Sequence, residues 1–134
     1  MMRLNTYLLF KGQCEEAIKF YHSVLGGEIS AMMKVAGSPA EPHFPPESKN
    51  EILHAALGFE GSSILASDCP PPMYEKMLGA SICITLDNEK EAERLYKALS
   101  EGGEIIMAME KTFFATKYAQ FIDCFDTRWM IHCA

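Results

Sequence analysis

The sequence is poor in the features that would name a chemistry. It has no Cys-x-x-Cys pair, and its five cysteines, Cys14, Cys69, Cys83, Cys124 and Cys133, are odd in number. Such spacing builds neither a zinc site nor a dithiol redox motif, so the thiols read as reduced packing residues. Positive charge is scarce: 12 Lys and Arg stand against 18 Asp and Glu, a net −6. A nucleic-acid binder needs a basic face for phosphates, which sets that class aside. No apolar run approaches the ~20 residues of a membrane helix. The N-terminus, Met1-Met2-Arg3-Leu4-Asn5, lacks a long apolar signal-peptide core. A cytoplasmic protein with no membrane partner is expected. No Ser-His-Asp order, nucleophile elbow or phosphate loop occurs. There is also no glycine-rich strand–turn–helix of the kind that holds S-adenosylmethionine.

What the chain does have is a repeat. Glu15-Glu16-Ala17-Ile18-Lys19-Phe20-Tyr21 runs on to Gly26-Gly27-Glu28-Ile29. Half a chain later, Lys90-Glu91-Ala92-Glu93-Arg94-Leu95-Tyr96 runs on to Gly102-Gly103-Glu104-Ile105, with one extra residue before the glycines. Two copies of one module follow from this pattern. In a chain of 134 residues, 49% hydrophobic and 22% charged, both fit in one globular domain with a real core.

Period and punctuation give the elements. Leu4 to Phe10 is a short apolar run and reads as a strand. Cys14 to Leu25 reads as a helix, because Ala17, Phe20, Tyr21 and Val24 recur at spacings of three and four. Gly26 supplies its left-handed stop. Strands are expected over Glu28–Val35, Ile52–Phe59 and Ser63–Ser67, the last two forming a hairpin. Residues 36–50 form a loop, since Pro39, Pro42, Pro45 and Pro46 deny it regular hydrogen bonding. The pattern then repeats: strand Ala80–Leu86, helix Glu89–Ser100 capped by Asp87 or Asn88, and strands Glu104–Met109, Thr116–Ile122 and Arg128–Cys133. The expected modules are residues 1–67 and 80–134, joined by a proline-rich linker over 68–79. The fold class is α+β, with tandem βαβββ modules forming a curved mixed sheet around a cup-shaped cavity.

Several stretches carry a family resemblance. They are Asn5-Thr6-Tyr7-Leu8, Cys14-Glu15-Glu16-Ala17 into Phe20-Tyr21, Gly26-Gly27-Glu28, His54, and Ser67-Asp68-Cys69-Pro70-Pro71. Further along come Gly102-Gly103-Glu104, Thr112-Phe113-Phe114 with Lys117-Tyr118-Ala119, and Asp123-Cys124-Phe125 with Arg128-Trp129-Met130. Across essentially its whole length the chain resembles the PhnB-like branch of the vicinal oxygen chelate superfamily, which includes glyoxalase I, extradiol dioxygenases and bleomycin-resistance proteins. The resemblance implies a homodimer with a small-molecule site in a cup-shaped sheet. Some members of the branch carry the description 3-demethylubiquinone methyltransferase.

Metal-using members hold a divalent ion with His and Glu from the first and last strands of each module. Carried over one at a time, those positions fall near Thr6, Ser81, Leu65 or Ser67, and Ile131. None is His or Glu, and Leu and Ile cannot ligate. A one-residue slip brings His132 close but turns it to the opposite sheet face. The expectation is therefore a metal-independent homodimer binding a small molecule in its cup, without a cofactor. A metal-dependent lyase, isomerase or dioxygenase is the alternative, and a non-catalytic structural dimer the second.

The candidate ligand-binding residues are His54, Trp129, Phe113, Phe114, Thr6, Ser81, Ser67 and Arg128. His54 is either a proton carrier or anion partner in the cup, or a hydrogen-bonded sheet histidine. Trp129 lines the cavity or packs in the core. Adjacent Phe113 and Phe114 cannot both bury in their own hairpin, so one closes the pocket or meets the other subunit. Arg128 binds an anion or, as the favoured reading, pairs with Asp123 or Asp126. Asp68 caps a turn or sits at the cup rim. His132 is structural or lies at the dimer contact. Tyr7 is expected in the core if Thr6 faces the cup.

Overall fold

The computed structural model describes residues 2–134. The chain divides into two compact units, one running to Glu75 and the other Lys76–Ala134. The division falls inside the proline-rich stretch 68–79.

In the first unit, strand β1 (Thr6–Phe10) leads to helix α1 (Cys14–Leu25) and strand β2 (Glu28–Lys34). Hairpin strands β3 (Ile52–Phe59) and β4 (Ser62–Asp68) complete a sheet of order β1-β4-β3-β2. β1 pairs with β4 in parallel, and the other pairings are antiparallel. The second unit repeats this plan. Strand β5 (Ile82–Leu86), helix α2 (Glu89–Ser100) and strands β6 (Glu104–Glu110), β7 (Lys117–Ile122) and β8 (Arg128–Cys133) give the order β5-β8-β7-β6. β5 runs parallel to β8. The proline-rich segment after β2 is not featureless: it winds into short 3-10 turns at Glu41–His43 and Pro46–Ser48.

Each helix covers one face of its own sheet. α1 buries Cys14, Ala17, Ile18, Tyr21 and Val24, and α2 buries Ala92, Leu95 and Leu99. Tyr96 meets the ring of Phe121 edge-on at 5.8 Å. The two helices start differently. Asn88 caps α2, accepting from the Glu91 amide at 3.0 Å. Gln13 offers α1 no side-chain cap. Asp68 does this from the end of β4: its Oδ1 accepts from the amides of Gly12 and Cys14, at 2.9 and 3.0 Å. Its Oδ2 accepts from the Ile52 amide at 2.9 Å. Asp68 therefore ties three segments together, capping the turn into α1 rather than the turn beside its own proline run.

The repeated Gly-Gly has a physical basis. The first glycine of each pair, Gly26 or Gly102, leaves its helix with φ of 80° or 76°. The second admits a neighbouring backbone. A Cβ on Gly27 would lie 2.6 Å from the Gly58 carbonyl oxygen, and one on Gly103 only 2.0 Å from that of Ile122. Each of these neighbours belongs to the strand that pairs with the one being entered.

The strand faces require a correction. Leu8 and Phe10 are buried on the α1 side, so Thr6, two residues before Leu8, shares that face. Tyr7 is 47% exposed on the opposite, open face. Thr6 was expected in the cup and Tyr7 in the core; their roles are exchanged. The same holds in β8. Trp129, Ile131 and Cys133 are buried on the α2 side, while Arg128, Met130 and His132 take the open face. Trp129 is 1% exposed and donates its indole N–H to Asp123 Oδ2 at 2.8 Å. It is a core residue of the second unit.

Candidate functional site

The helix-covered faces are packed, so chemistry has to come from the open faces. In the first unit that face carries Tyr7 and Leu9 from β1, Leu65 and Ser67 from β4, and His54 from β3. Met33 of β2 lies opposite His54. The Tyr7 hydroxyl is 3.3 Å from His54 Nδ1, with the rings 5.9 Å apart. His54 is thus both the hydrogen-bonded sheet histidine of one reading and an open-face residue as in the other. Ser67 shares its face.

In the second unit the open face is aromatic. The residues of β7 and β8 in register there are Tyr118 with His132 and Gln120 with Met130. Cys83 and Thr85 of β5 lie beside Met130 and His132. Phe114 packs over this end, its ring 4.9 Å from Tyr118 and 5.8 Å from His132. Phe113 adds an edge-on contact at 5.1 Å and is itself 100% exposed. The loop holding both phenylalanines is pinned by the Thr112 amide donating to the Ala115 carbonyl at 3.0 Å. His132 Nε2 lies 3.3 Å from the Phe114 carbonyl. A carbonyl only accepts, so that nitrogen carries the proton and Nδ1 of the neutral ring is an acceptor. Gln120 Nε2 donates to the Tyr118 hydroxyl at 2.9 Å.

Of the residues singled out from sequence, Phe113, Phe114 and Arg128 lie in this unit on or beside the open face. Ser81 sits one residue before β5 and is exposed. Arg128 does not make the expected ion pair. Asp123 is 2% exposed and its carboxylate holds the Phe125 and Thr127 amides and the Trp129 indole. Asp126 faces Lys76 at 3.7 Å. Sequence reasoning missed Tyr118, Gln120 and Tyr7, and undervalued His132. Their signal was strand alternation against Ala119, Phe121 and Trp129, once the correct phase is known.

The corrected faces change which residues of each unit stand at the first-strand and last-strand positions. In the first unit they are Tyr7 or Leu9 and Leu65 or Ser67; in the second they are Cys83 or Thr85 and Met130 or His132. The first set holds no imidazole or carboxylate, and the second only one imidazole and one thiol, so neither unit's pair fits a His/Glu centre. Among the described residues no group of three or more His, Cys, Asp or Glu is placed to share an ion. The buried thiols offer no nucleophile. Burial, then the negative charges of Asp68 and Glu15, pushes Cys14 up from 9.0 to about 12. Burial, followed by Asp68 and Glu51, also raises Cys69. A protonated thiol is a poor nucleophile. No helix among the described residues is long and apolar enough to cross a membrane.

Comparison with known proteins agrees with this architecture. The family model described as 3-demethylubiquinone-9 3-methyltransferase matches residues 2–131. Protein YjdN of Escherichia coli is 30% identical over 142 residues, covering 98% of this chain and 95% of the relative. The crystal structure of Pseudomonas aeruginosa PA1353 is 39% identical, with a TM-score of 0.91 and coverage of 99% of this chain and 98% of that one. A glyoxalase/bleomycin resistance protein/dioxygenase family enzyme from Burkholderia phytofirmans shares the fold, at 14% identity and a TM-score of 0.65, covering 96% of this chain and 95% of its own. The chain therefore belongs to the family described by the 3-demethylubiquinone-9 3-methyltransferase model.

Proposed function

We propose that this protein is a metal-independent homodimer that binds a small apolar or aromatic molecule on its open sheet faces. The observation that carries the reading is the cluster of Phe114, Tyr118 and His132, with a wholly exposed Phe113 beside it. The exposed Phe113 and half-exposed Phe114, backed by the buried Tyr118 ring, are a ready surface for a flat apolar partner. Thermal shift against a panel of small aromatic compounds, run beside sedimentation of the free protein, tests it. A ligand at 100 times its Kd should stabilise by about 2.7 kcal/mol. The Phe114→Ala variant should lose that response. A monomer, or a panel without any response, would refute the corresponding half of the proposal.

Methyl transfer, named in the family description, finds no support in the turn most like a cofactor loop. That turn, between β1 and α1, has its Gly12 and Cys14 amides taken up by the Asp68 carboxylate. They are not free to hold the carboxylate or ribose of S-adenosylmethionine. A second reading, acid–base catalysis, is favoured by the Tyr7–His54 contact. Turnover abolished by His54→Gln, with ligand affinity retained, would select it over simple binding.

A further inference from the structure

Gln120 and Tyr118 form a polar pair beside the Phe114 ring on the open face of the second unit. Their 2.9 Å bond uses one donor and one acceptor. As placed, the Gln120 amide donates, which leaves the Tyr118 O–H and the Gln120 carbonyl oxygen with valences to spare. With the amide turned over, the spare donor is on Gln120 and the spare acceptor on Tyr118. Either way one donor and one acceptor remain beside the rings. In the neutral ring that donates Nε2–H to the Phe114 carbonyl, His132 Nδ1 is a further acceptor at the same end of β8.

Resting on the binding role proposed above, we infer that this face of the second unit takes a neutral hydroxyarene, a planar ring bearing a phenolic hydroxyl. The ring stacks on Phe114 with Phe113 at its edge. The hydroxyl, both donor and acceptor, meets the spare valences of the Tyr118–Gln120 pair. An apolar occupant, including an apolar patch of a second copy, would strand those valences away from water. An anionic ring is disfavoured at this end because Glu110 of β6 stands in register with Tyr118. The cation on this face of β8, Arg128, lies roughly 13 Å along the strand from His132, at ~3.3 Å per residue.

The experiment is an NMR titration of the full, 15N-labelled chain with p-cresol, toluene and p-toluate. p-Cresol is expected to shift the amides of Phe114, Tyr118, Gln120 and His132. Its Kd should be about tenfold below that of toluene, and p-toluate should bind more weakly than p-cresol. Tyr118→Phe, which keeps the ring, should bring p-cresol to the toluene level and leave toluene unchanged. Gln120→Leu is the second variant, with the same expectation. If p-cresol and toluene bind this face equally, or if p-toluate binds best, the hydroxyarene inference falls while binding at the open face stands. Shifts confined to the Tyr7–His54 face would likewise overturn the hydroxyarene inference and leave open-face binding intact. If no probe shifts either open face, both fall. Shifts of these amides that follow protein concentration alone would assign the patch to a second copy and overturn the inference.

Discussion

Replacing Asp123 by Ala removes the acceptor for three donors at once. Its Oδ1 accepts from the Phe125 and Thr127 amides at 2.8 and 2.9 Å. Its Oδ2 accepts from Trp129 Nε1 at 2.8 Å. Hydrogen bonds to a charged group contribute about 1.5–3 kcal/mol each, but three that share one acceptor do not add independently. A loss of roughly 3–5 kcal/mol is expected for Asp123→Ala. At ~3–4 °C per kcal/mol for a chain of this size, the melting temperature should fall by about 10 °C or more. Asp123→Asn is the sharper test. It keeps the shape and one acceptor oxygen for the two amides, but turns an NH2 group toward the indole N–H. About 2–3 kcal/mol should be lost. Part of that should return in the double variant with Trp129→Phe, where the opposed donor is gone. Thermal melts followed by circular dichroism give the stabilities. The fluorescence of the sole tryptophan reports on the site itself. A drop of less than ~3 °C for Asp123→Ala, or no coupling between Asp123→Asn and Trp129→Phe, would refute the role assigned to this carboxylate.

Other outcomes follow from the same structure. Gly103→Ala should be among the most destabilising single changes, costing several kcal/mol (about 3 or more), because its Cβ meets the Ile122 carbonyl at 2.0 Å. Denaturant unfolding checks this, and a loss under ~1 kcal/mol would contradict it. With a thiol reagent the exposed Cys83 and Cys124 should react first, and the buried Cys14, Cys69 and Cys133 only on unfolding. Peptide mapping identifies the labelled sites, and early labelling of Cys14 would count against its burial. Stability should also fall at high pH. The Cys14 thiol ionises near 9.0 in the unfolded chain but only at about 12 when folded. Its contribution is therefore complete below pH 9 and is lost as pH rises toward 12. The slope should reach about 1.4 kcal/mol per pH unit, and Cys14→Ala should flatten it by that amount.

Most of the fold was legible in the sequence because helix period, proline and the Gly-Gly exits are strong local signals. α1, α2, β3 and β8 begin and end where the pattern places them. The phase of β1 was not legible. Tyr7, Leu8, Leu9 and Phe10 are all apolar, so alternation gave no polarity contrast from which to choose a face. The packing demand of α1 decides it, and that is a tertiary fact. In β5 the repeat misled by pairing Thr6 with Ser81. An offset measured on the helices was carried to the strands, but the turn from β1 to α1, Lys11-Gly12-Gln13, is one residue longer than Asp87-Asn88 between β5 and α2. One residue exchanges the two faces of a strand. The sequence pattern thus points to Thr6 and Trp129 where the folded sheets present Tyr7 and His132. The loop aromatics Phe113 and Phe114 needed no phase, only the observation that both could not be buried; Phe113 is wholly exposed and Phe114 half-exposed beside Tyr118.

The central claim, a small-ring site that works without a metal, is tested most directly by the affinity for p-cresol before and after metal removal. Elemental analysis of protein purified without chelator should accompany it. The account predicts substoichiometric metal and the same Kd in chelator-treated protein, with no gain on adding Ni²⁺, Zn²⁺, Mn²⁺ or Fe²⁺. Near-stoichiometric metal, with binding lost on chelation and restored by one of these ions, would contradict it.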